Sequence, residues 1–105
     1  MSIHKVISNT VAQTLVEKNT AVFFKGRIGG VNKITMTNVH ASAEPVMHLF
    51  IQNPDVSPVE TYTIAKTKIP VNTTLVLSDN VSFDGTKYSL KVQADGTVDC
   101  HVIVK

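Results

Sequence analysis

The stretch Tyr88–Val104 reads YSLKVQADGTVDCHVIV, and it decides the fold class. Apolar residues occupy every second position over 88–94 and again over 98–104. Successive side chains of a β-strand lie on opposite faces, so apolar residues at every second position share one face. Both segments are therefore predicted to be half-buried strands. Asp95-Gly96 lies between them and is a strong signal for a hairpin turn.

Similar short segments recur along the rest of the chain. Valine, isoleucine and threonine, which favour pleated structure, make up about a third of the residues. Turns are predicted at Arg27–Gly30 and Phe83–Thr86. Further strands are predicted at 3–7, 11–16, 20–24, 33–40, 46–51, 61–65 and 74–77.

About seven to nine short strands separated by turns predict an all-β protein. We therefore expect a single-domain antiparallel β-sandwich over residues 1–105. Residues 1–10 are expected to form an arm or an edge strand that contacts a neighbour.

Composition narrows the class of protein. Of the 105 residues, 43% are hydrophobic and 17% charged, which is typical of a folded domain and not of a disordered tail. The net charge is +2 and Arg27 is the single arginine, so no specific nucleic-acid partner is expected. No apolar run approaches the ~20 residues of a membrane helix. The first residues lack a signal-peptide pattern, and one cysteine excludes an internal disulfide.

Residues that can carry chemistry are few and scattered. His40 and His48 flank a turn, and His4 and His101 lie in terminal strands that are candidates to pair. No carboxylate lies near them at a metal-ligand spacing, so no metal and no cofactor are expected. The glycines of Gly26–Gly30 are explained by a turn and lack the remaining features of a phosphate loop.

The same reasoning predicts no catalytic residues and hence a protein that is not an enzyme. Asp99 and His101 share one side of a strand and can form an acid–imidazole pair, but no serine lies in a strained elbow beside them. Cys100 points to the opposite face, where a free cysteine is usually buried. Tyr62 and Tyr88 suit stacking on a sugar, but alternation assigns both to core faces.

The segment Val46–Ile51 is apolar on both faces. Met47, Leu49 and Ile51 are assigned to the core, which leaves the other face to a neighbouring subunit or to another part of the same chain. The outward side of the last strand is a further candidate. The predicted contact residues are Val46, His48, Phe50, His101 and Ile103.

The order of segments in the second half is distinctive. An Ile69-Pro70 step precedes Thr74–Leu77, followed by the strand Ser89–Val92 and the valine-rich strand Val98–Val104. This order, over most of 34–104, resembles small β-sandwich virion structural proteins of tailed bacteriophages. Members of that group occur as head decorations and as neck, tail or baseplate parts.

The resemblance implies a non-enzymatic virion component, made in the cytoplasm of the bacterial host. We expect a capsid decoration or cement protein that works through subunit contacts in a homo-oligomer, with a neck, tail or baseplate component as the alternative. Its partners would be the major capsid protein or neck and tail proteins, together with copies of itself, and neither nucleic acid nor a membrane. An alternative of another class is a carbohydrate- or receptor-binding module, and a third is a small hydrolase.

Overall fold

Eleven β-strands form within the part of the chain that this computed structural model describes, residues 3–20, 24–25, 28–78 and 81–105. For 24, 25, 28 and 29 only the backbone is described. The strands are β1 (Ile3–Ile7), β2 (Gln13–Val16), β3 (Phe24–Lys25), β4 (Ile28–Val31), β5 (Ile34–Asn38), β6 (Val46–Asn53), β7 (Glu60–Lys68), β8 (Thr73–Leu77), β9 (Val81–Ser82), β10 (Ser89–Ala94) and β11 (Cys100–Val104).

Two four-stranded antiparallel sheets pack as a sandwich, which confirms the predicted fold class. Sheet A has the order β1-β11-β5-β8, and sheet B has the order β2-β10-β6-β7. A small sheet C contains β3, β4 and β9. The strand number exceeds the predicted range because the strands of sheet C are only two to four residues long.

The hairpin predicted at Asp95-Gly96 is wrong, because the two strands it joins belong to different sheets. β10 pairs with β2 and β6, whereas β11 pairs with β1 and β5. The Asp95 side chain accepts a hydrogen bond from the Val46 backbone N–H (2.8 Å), and the Asp95 N–H donates to the Val46 carbonyl (3.1 Å). Asp95 thus ends the β6–β10 ladder, and the chain then crosses to sheet A.

The turn predicted at Arg27–Gly30 is also wrong where the structure describes it, because Ile28–Val31 form β4. A Cβ atom on Gly30 would lie 1.9 Å from the Val81 carbonyl oxygen. Gly30 therefore allows the backbone of β9 to approach β4 closely. Of the strand predicted at 20–24, Phe24 lies in β3, and Ala21, Val22 and Phe23 fall outside the described residues.

The core lies between sheets A and B, and it follows the predicted alternation. Leu90, Val92 and Ala94 point inward from β10, and Cys100, Val102 and Val104 do so from β11, all buried as expected. The other members of the buried cluster are Ile7, Leu15, Val16, Val31, Ile34, Met36, Met47, Leu49, Ile69 and Val98. The assignment of Met47 and Leu49 to the core is confirmed, and Ile51 packs against it from a partly buried position.

Asn38 is a fully buried polar residue at the end of β5. Its Nδ2 donates to the carbonyls of Ala43 (2.8 Å) and Ile69 (2.9 Å), and its Oδ1 accepts from the His40 N–H (3.0 Å). The side chain therefore joins β5 to the segment that follows it and to the crossing between β7 and β8.

Candidate contact surfaces

The outward side of sheet A forms a continuous four-stranded surface, here called the outer A face. Two rows of side chains cross its four strands in the order β1, β11, β5 and β8. One row is His4, Ile103, Thr35 and Val76, and the row beside it is Val6, His101, Thr37 and Thr74. These eight side chains point away from the core because the residues between them in β5 and β11 are buried. His101 and Ile103, predicted as contact residues, lie at its centre.

The eight side chains of the outer A face are three aliphatic residues, three threonines and two histidines, with no lysine, arginine or carboxylate among them. Val6 is 60% exposed on one edge strand and Val76 is 48% exposed on the other, while Ile103 between them is half-buried. Thr37 and Thr74 share a hydrogen bond of 2.8 Å across β5 and β8. Val6 and Val76 were not among the predicted contact residues, because only strand pairing places them beside Ile103.

One side chain of this face, His101, contacts an acidic residue. His101 Nε2 lies 3.3 Å from Asp99 Oδ1, so the predicted acid–imidazole pair forms. Both side chains are about half exposed. The pair can take part in a contact that retains water.

The predicted contact residues of β6 lie on the opposite side of the sandwich, on the outward side of sheet B. The structure therefore does not join the five predicted residues into one surface. Val46 and His48 line a groove of about 310 Å³, here called the B groove. Its other lining residues are Thr10, Lys66, Gln93, Ala94 and Asp95.

Phe50 shares this outward side but is only 4% exposed. It lies outside the buried cluster between the sheets, with its ring centroid 4.7 Å from that of His48. The register places Phe50 between Thr63 and Lys91 on the neighbouring strands. With so little of its ring accessible, Phe50 offers almost no area to a partner.

We expect His48 to titrate below the ordinary histidine range. Its partial burial and, second, the Lys66 ammonium lower its pKa from 6.5. Because protonation is less favourable in the folded state, the stabilisation linked to His48 is present above pH 6.5 and is lost as the pH falls through the folded pKa. NMR titration of the His48 ring measures the shift.

Lys66→Met should move the pKa of His48 part of the way back, since burial remains. Lys68→Met is the matched control, because Lys68 lies two residues further along the same strand and faces Glu44 (3.6 Å). An unshifted His48 in the parent protein would contradict this assignment.

A β-bulge in β7 alters the faces that simple alternation predicts. Leu49 pairs with Ala65, but Phe50 pairs with Thr63, so Ile64 is the extra residue. Ile64 and Ala65 both pack against the core. Tyr62 pairs with Ile51 on the inward side, yet it is 53% exposed. Its predicted burial is therefore wrong, because sheet A does not cover this end of the edge strand.

Tyr62 and Tyr88 form an aromatic pair beside two carboxylates. Their ring centroids are 5.8 Å apart at an angle of 72°, and the Tyr62 hydroxyl donates to Glu60 Oε2 (3.2 Å). Tyr88 is half-buried, and this burial raises its pKa above 10, with smaller contributions from Glu60, Tyr62 and Asp84. The Tyr88 hydroxyl is therefore protonated near neutral pH.

Cys100 is buried, as predicted, and burial together with nearby Asp99 raises the pKa of its thiol to about 11. We expect Ellman's reagent at pH 8 to label the native protein at least about a hundredfold more slowly than the denatured chain, because the thiolate is the reactive form. Rapid labelling without denaturant would contradict the placement of this face in the core.

No group of three or more histidine, cysteine or acidic side chains among the described residues is arranged to hold a metal ion. Across the same residues, no helix is long and apolar enough to cross a membrane.

Comparison with known proteins finds distant similarity to solved structures and no match at the level of sequence. No family model matches the sequence, and no curated protein matches it. The Yersinia pseudotuberculosis-derived mitogen is 11% identical with a TM-score of 0.45, over 99% of this chain and 81% of that one. The CBM22-1–GH10 modules of Clostridium thermocellum xylanase 10B, solved with xylohexaose, are 10% identical with a TM-score of 0.50. The alignment covers 99% of this chain but 26% of the xylanase chain, and it shows a shared fold.

Proposed function

We propose that this chain is a non-enzymatic structural protein of a tailed-bacteriophage virion, specifically a capsid decoration protein. Its outer A face packs against a neighbouring virion protein. The order of segments over 34–104, which resembles such virion proteins, supports the placement in a phage particle. The observation that supports this mode of action is the outer A face, with its exposed valines and its lack of lysine, arginine and carboxylate side chains.

The chemistry of this face suits contact with another protein. When a partner protein covers this face, the apolar area of the exposed valines at both edges and of the half-buried isoleucine at the centre is removed from water. Depletion of charged residues is typical of the centre of protein–protein interfaces. The half-exposed Asp99–His101 pair is suited to a polar part of the contact that retains water.

The chain offers matched control variants for a test of this surface. Val6→Lys and Val76→Lys place a charge on the outer A face at positions that are 60% and 48% exposed. Val11→Lys and Val59→Lys place the same charge elsewhere, at positions that are 61% and 47% exposed. All four side chains are exposed, so we expect all four variants to fold with the circular dichroism of the parent.

The experiment measures how much of each variant is attached to purified particles of a tailed phage that encodes the chain. Quantitative mass spectrometry should find the parent protein in a fixed ratio to the major capsid protein. We expect the two variants on the outer A face to attach at least about tenfold more weakly, since a buried charge is costly at an interface and multivalency amplifies the loss. The two controls should attach normally.

The outcomes separate the parts of the proposal. A fixed ratio to neck or tail proteins would replace the decoration role with the neck, tail or baseplate role. Absence from purified particles would overturn the virion proposal. Equal attachment of all four variants would show that another surface makes the contact.

A further inference from the structure

The tyrosine pair presents an aromatic surface to solvent at the uncovered end of β7. Tyr62 belongs by register to the inward row that contains Ile51 and Leu90. Leu90 is fully buried in that row, whereas more than half of Tyr62 is exposed. The edge-to-face contact with Tyr88 holds the Tyr62 ring in place, so little conformational entropy is lost when a ligand packs on it.

Two acidic side chains accompany the rings. Glu60 accepts a hydrogen bond from the Tyr62 hydroxyl, and Asp84 accepts from the backbone N–H and the hydroxyl of Thr86 (3.0 and 2.6 Å). Asp84 is also close enough to contribute to the raised pKa of Tyr88. The surroundings of the rings are therefore rich in hydrogen-bond acceptors and carry negative charge.

We propose that the tyrosine pair and Glu60 form a binding site for a neutral pyranose oligosaccharide. The apolar C–H face of a pyranose ring packs on the exposed Tyr62 ring, and its hydroxyl groups donate to the Glu60 carboxylate. The negative charge disfavours acidic sugars. This site is separate from the outer A face and goes beyond the function proposed above.

The protein carries its own reporter for this site. It contains no tryptophan, and Tyr62 and Tyr88 are its two tyrosines. Intrinsic tyrosine fluorescence and the tyrosine ring signals in NMR spectra therefore report on this site alone. The probes are cellohexaose, chitohexaose and maltohexaose, with an oligogalacturonate of similar length as the acidic comparison.

We expect at least one neutral hexaose to change the tyrosine signals in a saturable manner, and the oligogalacturonate to bind at least about tenfold more weakly. Tyr62→Ala should weaken binding at least about tenfold, whereas Tyr62→Phe should retain most of it because the ring remains. Glu60→Gln should also weaken it, since a charged acceptor becomes a neutral one. Val59→Ala, one residue away, is the matched control and should bind as the parent does.

Three results would overturn the proposal: no saturable change with any neutral hexaose at millimolar concentration, equal binding of the oligogalacturonate, or parental affinity in Tyr62→Ala. Glu60→Gln keeps the test decisive should Tyr62→Ala fail to fold. Val76→Lys should bind the oligosaccharide normally, and Tyr62→Ala should attach to particles normally. Failure of this proposal is thus distinguishable from failure of the virion proposal.

Discussion

We expect Leu90→Ala to lower the free energy of unfolding by about 2–5 kcal/mol, the usual range for a buried leucine. Leu90 is fully buried in β10, where it pairs with Val16 on β2 and Ile51 on β6. The loss comes from the apolar area no longer removed from water and from the cavity left between the sheets. Such a loss is a large part of the stability of a small domain, which is about 5–15 kcal/mol.

Urea denaturation followed by circular dichroism measures this effect. Val76→Ala is the control, because Val76 is half exposed and its truncation leaves no cavity in the core. A urea midpoint for Leu90→Ala equal to that of the parent would show that β10 faces the other way.

The second large effect is expected from Asn38→Asp, which changes one atom of a buried side chain. The amide Nδ2 of Asn38 donates to the carbonyls of Ala43 and Ile69, and a carboxylate cannot donate to either. The substitution also places a charge at a position with no solvent exposure. We expect a loss of at least about 3 kcal/mol near neutral pH.

Asn53→Asp is the matched control for this prediction. Asn53 is also buried, but its side-chain oxygen accepts from the Asp55 N–H (3.1 Å), and a carboxylate can accept the same bond. Its loss should be clearly smaller. The deficit of Asn38→Asp should shrink in acid, because burial raises the pKa of the introduced carboxyl group and its protonated form is neutral. Equal urea midpoints for the two variants would contradict the role given to the Asn38 amide.

Alternation within a strand was a good guide to which residues are buried. It assigned Leu90 and Cys100 to the core correctly, because the period of a strand is a local property that each segment carries in its own sequence. It failed at Tyr62, which lies on the predicted inward row but is 53% exposed, because alternation assigns a face and does not say how far the opposing layer covers it.

Strand pairing was less accessible, because it depends on contacts between distant segments. An aspartate–glycine pair favours a tight turn. In this chain Asp95 instead bonds to Val46 at the end of the β6–β10 pairing, after which the chain crosses from sheet B to sheet A. Asn38 gives no signal in the sequence, since its partner Ile69 is 31 residues away. The outer A face could not be predicted from the sequence for the same reason. Val6 and Val76 lie on β1 and β8, the two edge strands of sheet A, and only the strand order shows that they share one surface.

The positions of β10 and β11 within their sheets have a consequence for the order of folding. β11 lies inside sheet A between β1 and β5, and β10 lies inside sheet B between β2 and β6, so the last two strands along the chain join the earlier ones. During synthesis, β5 can pair with β8 and β6 with β7, but among the described strands β1 and β2 have no partner until β11 and β10 have been made. Pairings of such long sequence separation, as between Ile3 and Val104, are typical of domains that fold in milliseconds to seconds. We therefore expect the two sheets to be completed only after synthesis of β11, and the unpaired strand edges to be most prone to aggregation until then.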